Sequence, residues 1–162
     1  MSWAPTYSAR FEGQIIENVL TIINRDFKAA LDYFHPSGNL PDFAETALGQ
    51  IKGLEFPSLA IGPLENPVEE ADDSSHLIEA ARIDIYIGVT DDGPDTVTRK
   101  IMKYVRAMDA VLRTAKHDFF TGMSNPFEVV LTVNHTYWPI GRKESVYFRS
   151  SIVELTVALR ER

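Results

Sequence analysis

Four histidines are the residues of this chain that most readily bind metals or transfer protons: His35, His76, His117 and His135. No two of them have the spacing of an HExxH helix or of another tight metal site. The chain has no cysteine, which excludes disulfides, thiolate metal sites and cysteine nucleophiles. His135 lies on the predicted apolar face of a strand, where a hydrogen-bonded structural role is favoured over a catalytic one. The sequence therefore predicts no metal or catalytic histidine.

The usual nucleotide and nucleophile motifs are also missing. There is no Walker-type P-loop, no G-x-G-x-x-G turn and no G-x-S-x-G elbow. Carboxylates do cluster at Asp91, Asp92 and Asp95, but they precede a predicted helix, where capping and the helix dipole explain them. We therefore predict no cofactor and no enzymatic activity.

An acidic segment runs from Glu65 to Ser75 and has almost no apolar residues. Its carboxylates are Glu65, Glu69, Glu70, Asp72 and Asp73. A calcium loop needs alternating carboxylates around a glycine turn, and that spacing is absent. We predict a solvated hairpin loop that presents Glu69, Glu70, Asp72 and Asp73 as interface candidates.

One basic and aromatic cluster stands out, the loop from Trp138 to Ser145, which contains Arg142 and Lys143. An aromatic side chain beside two cations could contact nucleic acid, although such a small cluster is more often a solvated hairpin tip. Arg82 and Asp84 form another candidate pair, because they lie on the polar face of a predicted strand and could contact a neighbouring strand or subunit.

The size and charge of the chain limit its class. It has 162 residues, of which 44% are hydrophobic and 24% charged, and these values are typical of one globular domain. The net charge of −7 argues against a general nucleic-acid coat. No apolar run is long enough to span a membrane and no signal peptide is recognisable, so we expect a protein of the cytoplasm that does not contact membranes.

The elements that must position these residues are organised around Glu79–Lys116. Alternating apolar residues from Ala81 to Val89 predict a half-buried strand. After a turn that ends in Pro94, an apolar stripe from Val97 to Leu112 predicts a helix. A longer amphipathic helix is predicted before it, from about Ala9 to Phe34.

Three more strands and one short helix complete the prediction. The strands are Phe56–Leu64, Val129–Trp138 and Ser150–Arg160, and the short helix lies between Pro41 and Lys52, with Gly53 as its stop. Val146 and Phe148 have the opposite parity to Val153, which predicts a bulge or bend near Ser150–Ser151.

These elements predict an α+β two-layer sandwich. Its mainly antiparallel sheet has four strands, two long helices cover one face, and the order is α-β-β-α-β-β. We expect a single domain over residues 10–162, preceded by an N-terminal arm over residues 1–9.

The chain resembles the tail terminator, or tail completion, proteins of long-tailed bacteriophages, including their prophage and neck relatives. The similarity is carried by the helix Arg10–Phe34, the strands Phe56–Pro63 and Glu79–Val89, the acidic loop, the helix Asp95–Ala115 and the strand Ser151–Val157. The extended connection Pro41–Leu54 departs from the family pattern.

The resemblance implies a structural virion protein of the tail or neck, assembled in the host cytoplasm. Such a protein forms a ring, usually a hexamer, that ends polymerisation of the tail tube and presents a surface to the head connector. The expected partners are copies of itself, the tail tube protein and a head connector or neck protein. The acidic and basic loops could meet across subunits, and Arg142 and Lys143 could contact DNA passing through the ring.

Two alternatives remain open. A neck or head-completion adaptor would share the fold and differ in its partner. A small ligand-binding or enzymatic module on a ferredoxin-like sandwich belongs to another class and would need a buried pocket with converging polar groups.

Overall fold

A computed structural model describes residues 12–49, 55–65, 68–70, 77–122 and 128–161. Two long helices are present, α1 (Glu12–Phe34) and α2 (Pro94–Thr114). A short 3₁₀ helix, Lys116–Phe120, follows α2. Pro94 lies in the first turn of α2. Backbone N–H groups in that turn make no hydrogen bond within the helix, so the lack of an N–H in proline costs nothing there. The N-terminal arm over residues 1–9 lies outside the described residues.

Within the described ranges, seven strands form one sheet. Their bounds are β1 (Glu45–Leu48), β2 (Ser58–Glu65), β3 (Val68–Glu70), β4 (Leu77–Asp91), β5 (Glu128–Tyr137), β6 (Gly141–Lys143) and β7 (Val146–Glu161). The main path across the sheet is β1-β2-β4-β7-β5, while β3 pairs with β4 and β6 pairs with β7. Only β1 and β2 are parallel; the other pairs of this sheet are antiparallel.

Both long helices pack on the same face of the sheet. The odd-numbered side chains from Ile83 to Val89 and from Val153 to Val157 are at most 1% exposed, and they share one core with the apolar stripes of α1 and α2. Full burial of each Ile or Leu stabilises the fold by about 1.5–3 kcal/mol. The opposite, outer face of the sheet carries Arg82 and Glu154, and no helix among the described residues covers it.

The mixed α+β class is confirmed, but the prediction of four strands is wrong. The predicted short helix between Pro41 and Lys52 is also wrong, because β1 occupies part of that segment and pairs with β2. Gly53, its predicted stop, lies outside the described residues. Local spacing suggested a helix, whereas an open edge of β2 offered the backbone of β1 hydrogen-bonding partners.

The bulge predicted near Ser150–Ser151 is absent. β7 pairs with β4 in one unbroken register from Asp91↔Tyr147 to Leu77↔Glu161. Because the strand does not bend, Val146 and Phe148 stay on the outer face, where they are 45% and 41% exposed. The register shift in this sheet falls instead in β2, between Pro63 and Glu65.

Candidate interaction surfaces

An apolar groove of about 460 Å³ lies on the outer face of the sheet. Its walls include Phe56, Trp138 and Phe148, which are 37%, 47% and 41% exposed, together with Tyr86 and Ile152. We call this the aromatic groove. Large apolar side chains that share one exposed surface commonly mark a site of protein contact or ligand binding.

The floor of the aromatic groove is made of small residues. Ser58, Ala60 and Gly88 are all buried there, and Gly88 pairs with Ser58 across β2 and β4. A Cβ added at Gly88 would lie 2.8 Å from Ser58 Oγ and 3.0 Å from Phe56 Cε1. The glycine therefore leaves the space that the Phe56 ring occupies. Among the described residues Ser58 Oγ has no hydrogen-bond partner.

A second glycine positions Phe148. Gly141 on β6 lies opposite Phe148 on β7. A Cβ at Gly141 would come within 2.1 Å of Phe148 Cζ, so the ring lies directly over the bare backbone. Packing of an aromatic ring over a cross-strand glycine covers an otherwise open stretch of sheet. Gly141 thus fixes one wall of the aromatic groove.

The structure separates the predicted basic and aromatic cluster. Trp138 lines the aromatic groove. The guanidinium of Arg142 lies 5.3 Å from the ring centre of Tyr147, which packs against the core on the helix side of the sheet. Arg142 Nε also donates a 2.8 Å hydrogen bond to the carbonyl of Glu144. Lys143 is exposed at the β6–β7 turn.

Arg82 and Asp84 lie on the outer face of β4, as predicted from their alternation. Asp84 accepts a 3.2 Å hydrogen bond from the hydroxyl of Tyr86. Burial, and then the charge of Asp84, raise the pKa of Tyr86. Asp84 pairs in register with Glu154 of β7, so two carboxylate residues are adjacent on this face. Arg82 is exposed.

The acidic segment is partly described. Glu65 ends β2, and Glu69 and Glu70 belong to β3, a short strand that the sequence did not predict. Asp72, Asp73 and His76 lie outside the described residues. Among the described residues, no group of histidine and acidic side chains could hold a metal ion. In the same part of the chain, no helix is long and apolar enough to cross a bilayer.

Sequence reasoning missed Phe56, Tyr86 and Phe148 as members of one surface. The parity of Val146 and Phe148 relative to Val153 contained the signal, since an unbroken strand with that pattern must expose apolar residues. The pattern alone does not distinguish an unbroken strand from a bulged one.

No protein-family model matches the sequence, and no curated protein matches it. A chain from a solved structure described as "Virion of native gene transfer agent (GTA) particle" is similar, with a TM-score of 0.40 and 11% sequence identity. The similarity covers 86% of this chain and 91% of that chain. At this TM-score it supports no functional argument, so a function can be proposed only from the surfaces of the protein and from its sequence resemblance to tail terminators.

Proposed function

We propose that this protein is a structural, non-enzymatic assembly protein of a phage-like particle. It forms a ring, expected to be a hexamer, which caps the tail tube, ends its polymerisation and joins the tail to the head. The observation that carries the proposal is the aromatic groove, on a sheet face that no helix of the described residues covers. The sequence resemblance to tail terminators supplies the class of assembly.

The exposed aromatic area is large enough to contribute to an interface. Phe56, Trp138 and Phe148 are 37–47% exposed. At ~200 Å² per side chain they leave roughly 80 Å² each, or about 240 Å² together. Covering that area is worth about 6 kcal/mol. Association costs about 4–15 kcal/mol, so this groove leaves at most about 2 kcal/mol, too little for a stable complex of two free copies. We therefore expect ring closure to require further contacts or the end of the tube as a template.

Deleting the gene from its phage genome tests the proposal. Tails should lose length control and remain unattached to heads, as seen by electron microscopy of the lysate. Normal, infectious particles from the deletion strain would contradict it. A neck adaptor gives a different result, because tails would then have normal length and still lack heads.

The aromatic groove is tested by complementing that deletion with Phe148→Ser and Trp138→Ser variants. Particle yield should fall at least tenfold, while a Tyr33→Ser variant complements fully. Tyr33 is a suitable control because it is 80% exposed and lies on α1, away from the groove.

The ligand-binding alternative has one observation in its favour. A volume of about 460 Å³ is within the range of small-molecule sites, and the Ser58 hydroxyl at the floor of the groove has no partner among the described residues. Native mass spectrometry of the purified protein separates the two functions. A bound small molecule that Phe148→Ser releases would favour the ligand-binding module.

A further inference from the structure

A second groove, of about 610 Å³, lies between α2 and β5 on the helix side of the sheet. Its lining includes four cationic residues of α2, Arg99, Lys103, Arg106 and Arg113, together with apolar side chains such as Val133. We call it the basic groove. The chain as a whole has a net charge of −7, so this surface has the opposite sign to the rest of the molecule.

The cations of the basic groove share one stripe of α2, because their spacing of three, four and seven residues returns to the same side of a helix. Two of them have partners: Arg113 Nε lies 3.0 Å from Asp109, and the Arg106 guanidinium lies 4.5 Å from the centre of the Phe34 ring. Arg99 and Lys103 have no acidic partner among the described residues. Repulsion between neighbouring cations on one helix face is unfavourable, and an acidic partner would relieve it.

The surroundings of His35 report the same positive potential. Burial lowers the pKa of His35, and the charges of Lys103 and Arg106 lower it further. His35 Nε2 is buried and has no hydrogen-bond partner among the described residues. A negatively charged group entering the basic groove would counter the charges of Lys103 and Arg106 and give His35 Nε2 a partner.

The basic groove also borders an open strand edge. β5 is the last strand of the path β1-β2-β4-β7-β5, and among the described residues no strand pairs with its outer edge. Such an edge presents backbone N–H and C=O groups that can pair with an extended segment. Positive charge beside a free edge therefore suits an extended acidic peptide.

The chain contains such a segment. Residues 65–73 read ENPVEEADD, with five carboxylates and no cation. β3, which includes Glu69 and Glu70, pairs with β4, and the pairings of β4 with β7 and of β7 with β5 separate it from β5. β3 and the outer edge of β5 therefore lie on opposite sides of the β4–β7 pair, in the plane of the sheet. One copy cannot bring them together without breaking the sheet.

We propose that the acidic segment 65–73 of a second copy docks in the basic groove, beside the edge of β5. The proposal depends on the ring function above and names the contact that repeats around the ring. Donor and acceptor surfaces on opposite edges give a head-to-tail contact, which closes into a ring or continues as a filament. The paired charges should fix the orientation of one copy relative to the next. Because salt screens exposed charges, the contact should weaken as ionic strength rises.

Cysteine cross-linking tests the proposal without needing a stable oligomer. The chain has no native cysteine. A Lys103→Cys variant is mixed with a Glu70→Cys variant at high concentration and low salt, and then oxidised. We expect a disulfide-linked dimer of the two variants, at least tenfold above the yield of either variant alone or of Glu70→Cys mixed with Lys143→Cys. Equal yields in all mixtures would overturn the proposal.

Charge reversal supplies the second arm. Arg99→Glu with Lys103→Glu, or Glu69→Lys with Glu70→Lys, should lower particle yield at least tenfold, and combining the two pairs should restore it. The matched control, Arg25→Glu with Lys28→Glu, reverses the same charge on two solvent-accessible residues of α1 outside the basic groove and should leave the yield unchanged.

The outcomes separate this proposal from the assembly function. If Phe148→Ser blocks assembly while reversal at Arg99 and Lys103 does not, the basic groove proposal is wrong and the assembly function stands. If Arg99→Glu lowers affinity for duplex DNA, and Lys103→Cys combined with Arg99→Glu still cross-links normally to Glu70→Cys, the groove binds nucleic acid and the proposal is also wrong. Normal particles from the gene deletion would refute the assembly function itself.

Discussion

Replacing Gly141 by alanine should displace Phe148 from the aromatic groove. The added Cβ would lie 2.1 Å from Phe148 Cζ and 2.2 Å from Cε2, so the ring must rotate away. The ring is 41% exposed. Of ~200 Å², roughly 120 Å² is therefore covered, and rotation that uncovers half of it costs about 1.5 kcal/mol.

Part of that cost is offset, because alanine lowers the conformational entropy of the unfolded chain and so stabilises the folded state by about 0.4–1 kcal/mol. The net loss should be about 1 kcal/mol, which lowers Tm by about 2–4 °C in a domain of this size. Differential scanning calorimetry measures the change, and particle yield should fall as it does for Phe148→Ser.

Two comparisons make this reasoning refutable. In a Phe148→Ala background, Gly141→Ala should cost less than about 0.5 kcal/mol, since the clash is gone. Gly13→Ala is the matched control: nothing lies within 4 Å of its added Cβ, and it belongs to α1, so Tm should hold or rise. An equal loss in both Phe148 backgrounds would refute the assigned role of the ring.

Three further predictions concern the core and its edges. Tyr104→Phe removes the hydroxyl that donates to the Pro41 carbonyl and should lower the free energy of unfolding in urea by about 1–3 kcal/mol; no loss would contradict a hydrogen bond there. Asn18→Ala removes the 2.8 Å hydrogen bond from its Nδ2 to the Phe119 carbonyl and should cost a similar amount without changing the m-value. The pKa of His35 is lowered in the folded protein from 6.5, so the unfolded chain binds this proton more readily than the folded protein does. The contribution of neutral His35 to stability is therefore complete above pH 6.5 and is lost as pH falls below that value. Tm should therefore fall more between pH 7.5 and 5.5 in the wild type than in a His35→Gln variant, and parallel curves would contradict this.

The central strand and the helix after it were predictable because periodicity there reflects burial directly. Ile83, Ile85 and Ile87 are at most 1% exposed, and the stripe of α2 from Val97 to Leu112 is buried as expected. Local spacing suffices when one face of an element is covered and the other is wet.

The short strands and the outer surface were not predictable in this way. β1, β3 and β6 have only three or four residues, too few for a period to appear, and each forms because a longer strand offers an open edge. The position of Phe148 depends on whether β7 bends. β7 stays straight because it pairs with β4 along its whole length, and a local pattern in β7 does not contain that information. The basic groove requires α2 and β5 to be adjacent, and no local pattern specifies that.

The long pairing of β4 with β7 also has a consequence for synthesis. β4 joins β7 from Asp91↔Tyr147 to Leu77↔Glu161, and the whole of α2 and β5 lies between the two strands along the chain. During translation the β4–β7 pair therefore cannot form, and one edge of β4 stays without that partner, until β7 has left the ribosome. Contacts so distant in sequence make folding slow. A chain whose β7 has not yet been made lacks Phe148 and Ile152, and therefore has no aromatic groove with which to bind a partner.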